Sequence, residues 1–184
     1  MKEIFFLSGL PRAGNTLFGS LMNQNPNVAV TANSITADMM GELYSLKYTD
    51  IFQNYPDHKS FDNVAAKIFE HYYQDWKADY IIDRAPWGTP ANLGFLKYTR
   101  KNIKIIVLVR DVIEILASFI RFSQRNPGSY IDKNRNRSVE EKCDKLMSKD
   151  GVIVKELIAL KHLLRDENKG LYHMIEYHDF VEHP

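Results

Sequence analysis

Residues 9 to 16 read Gly-Leu-Pro-Arg-Ala-Gly-Asn-Thr, which sets two glycines, an arginine and a hydroxyl in the frame G-x-x-x-x-G-x-T. That frame lets backbone N–H groups close around a phosphate while the following helix turns its positive end toward the same anion. The lysine that holds the β and γ phosphates of a triphosphate is missing, because its position is Asn15, and the cation in the loop is Arg12. A guanidinium forks onto two oxygens of one phosphate or sulfate group, which favours an anion shorter than a triphosphate. A second pair lies downstream. Arg110 follows an apolar run and Ser118 comes eight residues later, a little over two helical turns on, so the two can bracket another phosphate. Taken singly, each feature also suits a plain turn carrying a solvated arginine.

These residues need elements to hold them. Ile4 to Leu7 is apolar enough for a buried parallel strand, and Leu17, Leu21 and Met22 recur at helical spacing until Asn23, Asn25 and Pro26 stop the pattern. Val28 to Val30 is a short second strand, and Ser34 to Lys47 carries Ile35, Met39, Met40, Leu43 and Leu46 on one helical face. A polar, aromatic-rich connection runs through His58. Ser60 is placed to cap a helix reaching Trp76, whose aromatic stripe Phe69, Tyr72, Tyr73, Trp76 is core in character. Tyr80 to Ile82 is the third strand, broken at Asp83-Arg84-Ala85-Pro86-Trp87-Gly88, and a helix from Pro90 to Tyr98 leads to the strongest strand, Ile103 to Val109. Asp111 caps a helix from Val112 to Phe122, with Pro127-Gly128 after it. Ser138-Val-Glu-Glu141 opens a long helix toward Asp166, with a break allowed at Asp150-Gly151, and Leu171 to Tyr177 is the last strand. Strands alternating with helices predict an α/β fold, a three-layer sandwich with a central parallel sheet and ligands at the carboxyl ends of its strands.

With 184 residues, 45% of them hydrophobic and 26% charged, the chain fits one domain spanning residues 1 to 184 with its own core. A net charge of +1 offers no global attraction to nucleic acid or to an anionic membrane, so an anion site must be local. The single Cys143 allows no internal disulfide, and the sequence shows neither a secretory leader nor a run of about 20 apolar residues. A cytoplasmic location is therefore expected. The basic run Lys133 to Arg137 suits a solvated loop that could guide an acidic acceptor.

In order and spacing these segments resemble the sulfotransferases that use 3′-phosphoadenosine 5′-phosphosulfate (PAPS), in particular the bacterial and tyrosylprotein-type branches. The family's first signature, a strand followed by Pro-[Lys/Arg]-Ser-Gly-[Thr/Ser]-Thr-Leu, stands here as Pro11-Arg12-Ala13-Gly14-Asn15-Thr16-Leu17. The resemblance implies a P-loop sulfotransferase fold in which residues 12 to 17 hold the 5′-phosphate, with Thr16 as a hydroxyl contact and Arg12 stabilising charge on the bridging oxygen. Ala13 and Asn15 depart from the pattern and remove hydroxyl contacts. The second signature, Arg-[Asp/Asn]-Pro with a serine eight residues beyond the arginine, appears as Arg110-Asp111-Val112 through Ser118, and implies that Arg110 and Ser118 bind the 3′-phosphate. Val112 replaces a proline that starts a helix rather than touching ligand. Arg84, in Asp83-Arg84-Ala85-Pro86-Trp87, takes the place of the lysine that assists transfer in the tyrosylprotein and heparan branches; the competing reading is a loop arginine paired with Asp83. Tyr177, within Ile175-Glu176-Tyr177-His178-Asp179-Phe180, matches the tyrosine that packs near adenine. Family members usually continue past the segment ending at Pro184 with a basic, glycine-containing loop, so a fragment or a minimal form is expected.

The implied reaction moves a sulfuryl group from PAPS to a hydroxyl or amine of a small-molecule, glycan or peptide acceptor, leaves 3′,5′-adenosine bisphosphate, and requires no metal. A base for the acceptor is harder to find. In the tyrosylprotein branch it is a glutamate shortly after the second strand, a place held here by Asn33-Ser34. Asp38, with Glu42 a turn further, is the nearest substitute, against the reading of a solvated helix face. His58 and His71 are further candidates by residue type, since an unperturbed imidazole can exchange protons near neutral pH, but they match no family position. Two other functions stay open: a P-loop nucleotide or small-molecule kinase, and a nucleotide-binding domain without catalysis, which Ala13, Asn15 and the absent base would suit.

Overall fold

A computed structural model describes residues 2–129, 131 and 137–183. Five strands alternate with nine helices among them: β1 (Glu3–Gly9), α1 (Asn15–Met22), β2 (Val28–Val30), α2 (Thr36–Ser45), α3 (Asp50–Asn54), α4 (His58–Tyr72), β3 (Tyr80–Arg84), α5 (Pro90–Thr99), β4 (Ile105–Val109), α6 (Val112–Arg125), α7 (Val139–Met147), α8 (Val152–Leu163), β5 (Tyr172–Glu176) and α9 (Tyr177–Glu182). The strands form one sheet in the order β2-β3-β1-β4-β5, parallel at every pairing. β1 lies in the centre, so the loop that leaves its carboxyl end has strands on both sides.

Strand alternation builds two cores. On one face Phe6, Ile81, Ile105 and Val107 pack against α2, α4 and α5 through Met40, Phe69, Tyr73, Leu93 and Leu96. On the other face Leu7, Ile82 and Leu108 pack against α1, α6 and α7 through Phe18, Ile115, Phe119 and Leu146. Successive side chains of a strand point to opposite faces, which is why an unbroken apolar run such as 4–7 serves both cores. The third layer completes the expected sandwich. Helix α8 belongs to both sides: Ile153 joins one core, Leu163 joins the other, and Leu160 packs against each.

Several boundaries differ from the sequence reading for local reasons. Asp57, not Ser60, caps α4, because its carboxylate accepts the Ser60 N–H at 3.0 Å and the helix starts three residues earlier than expected. The connection before it holds the short α3, capped by Thr49. β3 runs on through Asp83 and Arg84, since both pair in register with Phe6 and Leu7 of β1. Asp111 caps α6 as expected, accepting the N–H groups of Ile113 and Glu114, and the Ser138–Glu141 capping box is formed. The long helix after it is interrupted at Gly151, and a short α9 follows β5. Residues 133–136 of the basic run lie outside the described residues, while Arg137 donates to the Ile131 carbonyl at 3.3 Å.

Candidate active site

The carboxyl ends of β1, β3, β4 and β5 surround a cavity of about 680 Å³. β1 ends in a loop that needs unusual backbone: Gly9 has φ +134°, Gly14 has φ +92°, and Arg12 is left-handed at φ 62°. A Cβ at Gly9 would stand 2.2 Å from the Leu108 carbonyl oxygen, so only glycine lets β1 and β4 stay this close as the loop departs. Leu10 N–H then donates to that same Leu108 carbonyl at 3.0 Å. Asn15, standing where a triphosphate site has lysine, turns its Nδ2 back onto the Leu10 carbonyl at 3.0 Å and braces the loop. The first amides of α1 lack partners within the helix and face the cavity that Gly14, Asn15 and Thr16 line.

Three guanidinium groups converge on this space. Arg12 Nε donates to Ser118 Oγ at 3.1 Å, and its guanidinium lies 5.4 Å from the Phe122 ring centre. Arg110 leaves the end of β4 and donates to the Arg12 carbonyl at 3.3 Å, to Glu114 Oε2 at 2.8 Å, and stacks 3.9 Å from the ring centre of Tyr177. Arg84 reaches from β3 to Thr16 Oγ1 at 3.4 Å. Its backbone is held on both sides, since Arg84 N–H donates to Thr31 Oγ1 at 2.7 Å and its carbonyl accepts the Ser34 N–H at 2.8 Å. Burial alone lowers the Arg84 pKa from the ordinary arginine value.

Of the residues singled out in the sequence, Arg12, Gly14, Asn15, Thr16, Leu17, Arg84, Arg110, Ser118 and Tyr177 all line the one cavity. Ala13 does not: the whole residue is buried in the core beneath the loop, and its N–H donates to the Leu10 carbonyl at 3.3 Å. Asp38 is exposed on α2 and is not part of the cavity lining. Glu42 is exposed as well. His58 packs against Phe52, and His71 borders a groove between α2 and α4.

Asp83 is not the partner of Arg84. Its carboxylate is fully buried and accepts from Thr36 Oγ1 at 2.5 Å, Tyr73 OH at 2.7 Å, Ser34 Oγ at 3.1 Å and Trp87 Nε1 at 3.2 Å. Burial raises the carboxyl above the usual aspartate value, and the donors only partly offset this. Glu114 is a site residue that the sequence reading passed over. It links Arg110 to His178 Nε2, at 3.0 Å, and the Arg110 hydrogen bond holds its carboxyl below the usual range. Its place four residues after Arg110 was a readable signal. Phe119, Phe122 and Val152, the apolar part of the lining, carry no such signal.

No described carboxylate lines the cavity, so its donor set of three guanidiniums, two hydroxyls and helix amides is that of a polyanion site. A Cβ at Gly14 would lie 2.8 Å from the Tyr177 ring, so a small residue there preserves the cradle. The sequence matches the sulfotransferase family over residues 5–184. The chain belongs to that family. Among solved structures, this sulfotransferase resembles a sulfotransferase from Alicyclobacillus acidocaldarius, with a TM-score of 0.65, 12% identity, and coverage of 100% of this chain and 76% of that one. It also resembles the sulfotransferase domain of the Synechococcus PCC 7002 olefin synthase, with a TM-score of 0.54, 16% identity, and coverage of 99% and 68%. At those identities the likeness is one of fold, a parallel sheet of P-loop type flanked by helices. No curated protein matches the sequence. No helix among the described residues is long and apolar enough to cross a membrane.

Proposed function

We propose that this sulfotransferase takes PAPS as donor and moves its sulfuryl group to a hydroxyl or amine acceptor, releasing 3′,5′-adenosine bisphosphate. The convergence of Arg12, Thr16, Arg84, Arg110 and Ser118 on one cavity without carboxylates carries the reading. The donor supplies an activated sulfuryl group. In this reading the α1 amides and Thr16 hold the 5′-phosphate, and Arg110 and Ser118 hold the 3′-phosphate. Arg12 and Arg84 offset charge that builds on the oxygen leaving sulfur. The Tyr177 ring, stacked on Arg110, offers a face to adenine. A cytoplasmic location belongs to the same proposal and rests on the lone Cys143.

Two contacts favour this over a kinase. Arg84 donates to the Thr16 hydroxyl, the group that would bind magnesium in a triphosphate site, and like charge beside a metal is unfavourable. The carboxylate at the end of β3 is meanwhile filled by four side-chain donors. Calorimetry with 3′,5′-adenosine bisphosphate in the presence of chelator is expected to give tight binding; binding of ATP alone, and only with magnesium, would sink the proposal. Loss of about 10²–10³-fold in transfer for Arg12→Ala, with the fold retained, distinguishes catalysis from mere nucleotide binding.

A further inference from the structure

Arg110 borders two cavities. It lines the donor cavity with Arg12, Thr16 and Ser118, and it also lines a neighbouring one of about 290 Å³, which shares Tyr177 with the first and adds Asp111 and Glu176. An arginine between an anion cavity and a crevice bearing two acids has two directions in which to point. Its use as an anion ligand therefore depends on what fixes the side chain before an anion arrives.

Glu114 supplies that restraint. Its Oε2 accepts from Arg110 Nε at 2.8 Å, while Arg110 Nη1 donates to the Arg12 carbonyl at 3.3 Å. Nη2 takes no part in either bond. With the Tyr177 ring centre 3.9 Å from the guanidinium carbon, these contacts set both the plane of the group and its rotation within that plane. The other oxygen of the same carboxylate, Oε1, lies 3.0 Å from His178 Nε2. His178 follows Tyr177 at the start of α9, so one carboxylate holds the arginine and also the helix end that carries the ring stacked on it. Helix α6 brings Glu114 to this place. It stands one turn after Arg110 and one turn before Ser118, in a first turn whose amides Asp111 caps. Glu114 does not itself line the donor cavity, so it acts on a bound anion through Arg110.

We propose that Glu114 is the positioning residue that gives this site its selectivity for a 3′-phosphate, an inference that rests on the PAPS reading above. Held by Glu114, Arg110 keeps Nη2 for the 3′-phosphate. Released, it is drawn toward Asp111 and Glu176 and must be reordered each time a nucleotide binds. The 5′-phosphate rests on other groups, the α1 amides and Thr16, and does not feel the change. Loss of the glutamate charge acts in the opposite sense, since it favours an anion. The Glu114 side chain is 35% exposed, so solvent and salt screen that second effect and the loss of position prevails.

Calorimetry with 3′,5′-adenosine bisphosphate and with adenosine 5′-monophosphate, which lacks the 3′-phosphate, tests this. Wild type is expected to bind the bisphosphate more tightly than the monophosphate. Glu114→Ala should lose about tenfold in affinity for the bisphosphate and stay within about twofold for the monophosphate. Glu114→Gln keeps an oxygen for the Arg110 Nε hydrogen and should restore the ratio of the two affinities to within about threefold of wild type. Unchanged selectivity in Glu114→Ala overturns the role of Glu114 and leaves the donor reading standing. Tighter bisphosphate binding in both variants also overturns it, because Glu114 would then only dilute the charge of Arg110. An equal loss for both nucleotides, or no restoration by glutamine, reduces Glu114 to a support for the fold and overturns it as well. A wild type that fails to bind the bisphosphate, or binds it no better than the monophosphate, defeats the donor reading and the role of Glu114 with it.

Discussion

At the scale of single residues, Asp83 bears most weight outside the cavity. Thr36, Tyr73, Ser34 and Trp87 all donate to it, and Ser34 also binds the Arg84 carbonyl, so the buried carboxylate fixes the backbone that aims Arg84. Asp83→Ala leaves these donors without an acceptor in the core and is expected to cost about 3 kcal/mol or more in urea denaturation. A pH dependence follows from its raised pKa. The folded chain keeps the Asp83 proton to higher pH than the unfolded chain, whose value is near 3.8, so this group's contribution to stability falls as pH rises from there through the native pKa and is level above it. Wild type should therefore lose ground to Asp83→Asn as pH rises through that window; a difference constant with pH would contradict the burial argument. Arg12, Thr16, Arg110 and Ser118 were legible from residue type and spacing alone. The orientation of Asp83 was not, because adjacency to Arg84 in sequence places the two on opposite faces of a strand.

At the scale of elements, the tight approach of the anion loop to the start of α9 controls the cavity. Gly14 has φ +92° and faces the Tyr177 ring, so Gly14→Ala forces both a strained backbone and a collision. The strain should cost about 1–3 kcal/mol, seen as a lower melting temperature, and displacement of Tyr177 should weaken bisphosphate binding at least about tenfold by calorimetry. Retained affinity would show that Tyr177 does not shape the site. Strands and the larger helices were readable because their apolar runs and spacing are strong, as with Ile105 to Val109 and the capped α6 and α7. Short α3 and α9 were not. Five or six residues give too few turns for a periodic face, and their placement depends on what they pack against, as when Phe180 of α9 meets Phe18 of α1.

At the scale of the whole molecule, the cavity draws on the ends of four strands and on the four helices α1, α6, α8 and α9, so a bound anion ties together segments from residue 11 to residue 177. Saturation with 3′,5′-adenosine bisphosphate at about 100 times its Kd should add about 2.7 kcal/mol to stability. For a chain of this size that corresponds to a melting shift of roughly 5–10 °C. A shift confined to one region, read by hydrogen exchange, would instead mean that the two sides of the sheet unfold separately. The parallel sheet was legible in the alternation of elements, but the strand order was not, because no residue pattern states which parallel strands become neighbours. The Asp83 cluster has a further consequence in folding kinetics. It joins Ser34 and Thr36 to a residue 49 and 47 positions away, and it cannot close until α2, α4 and β3 have all arrived. Contacts of that kind form after the local helices, so Ser34→Ala is expected to raise the unfolding arm of a chevron plot and leave the refolding arm nearly unmoved. A slowed refolding arm would instead put this cluster in the folding nucleus, with the residues that aim Arg84 assembling before the cavity they serve.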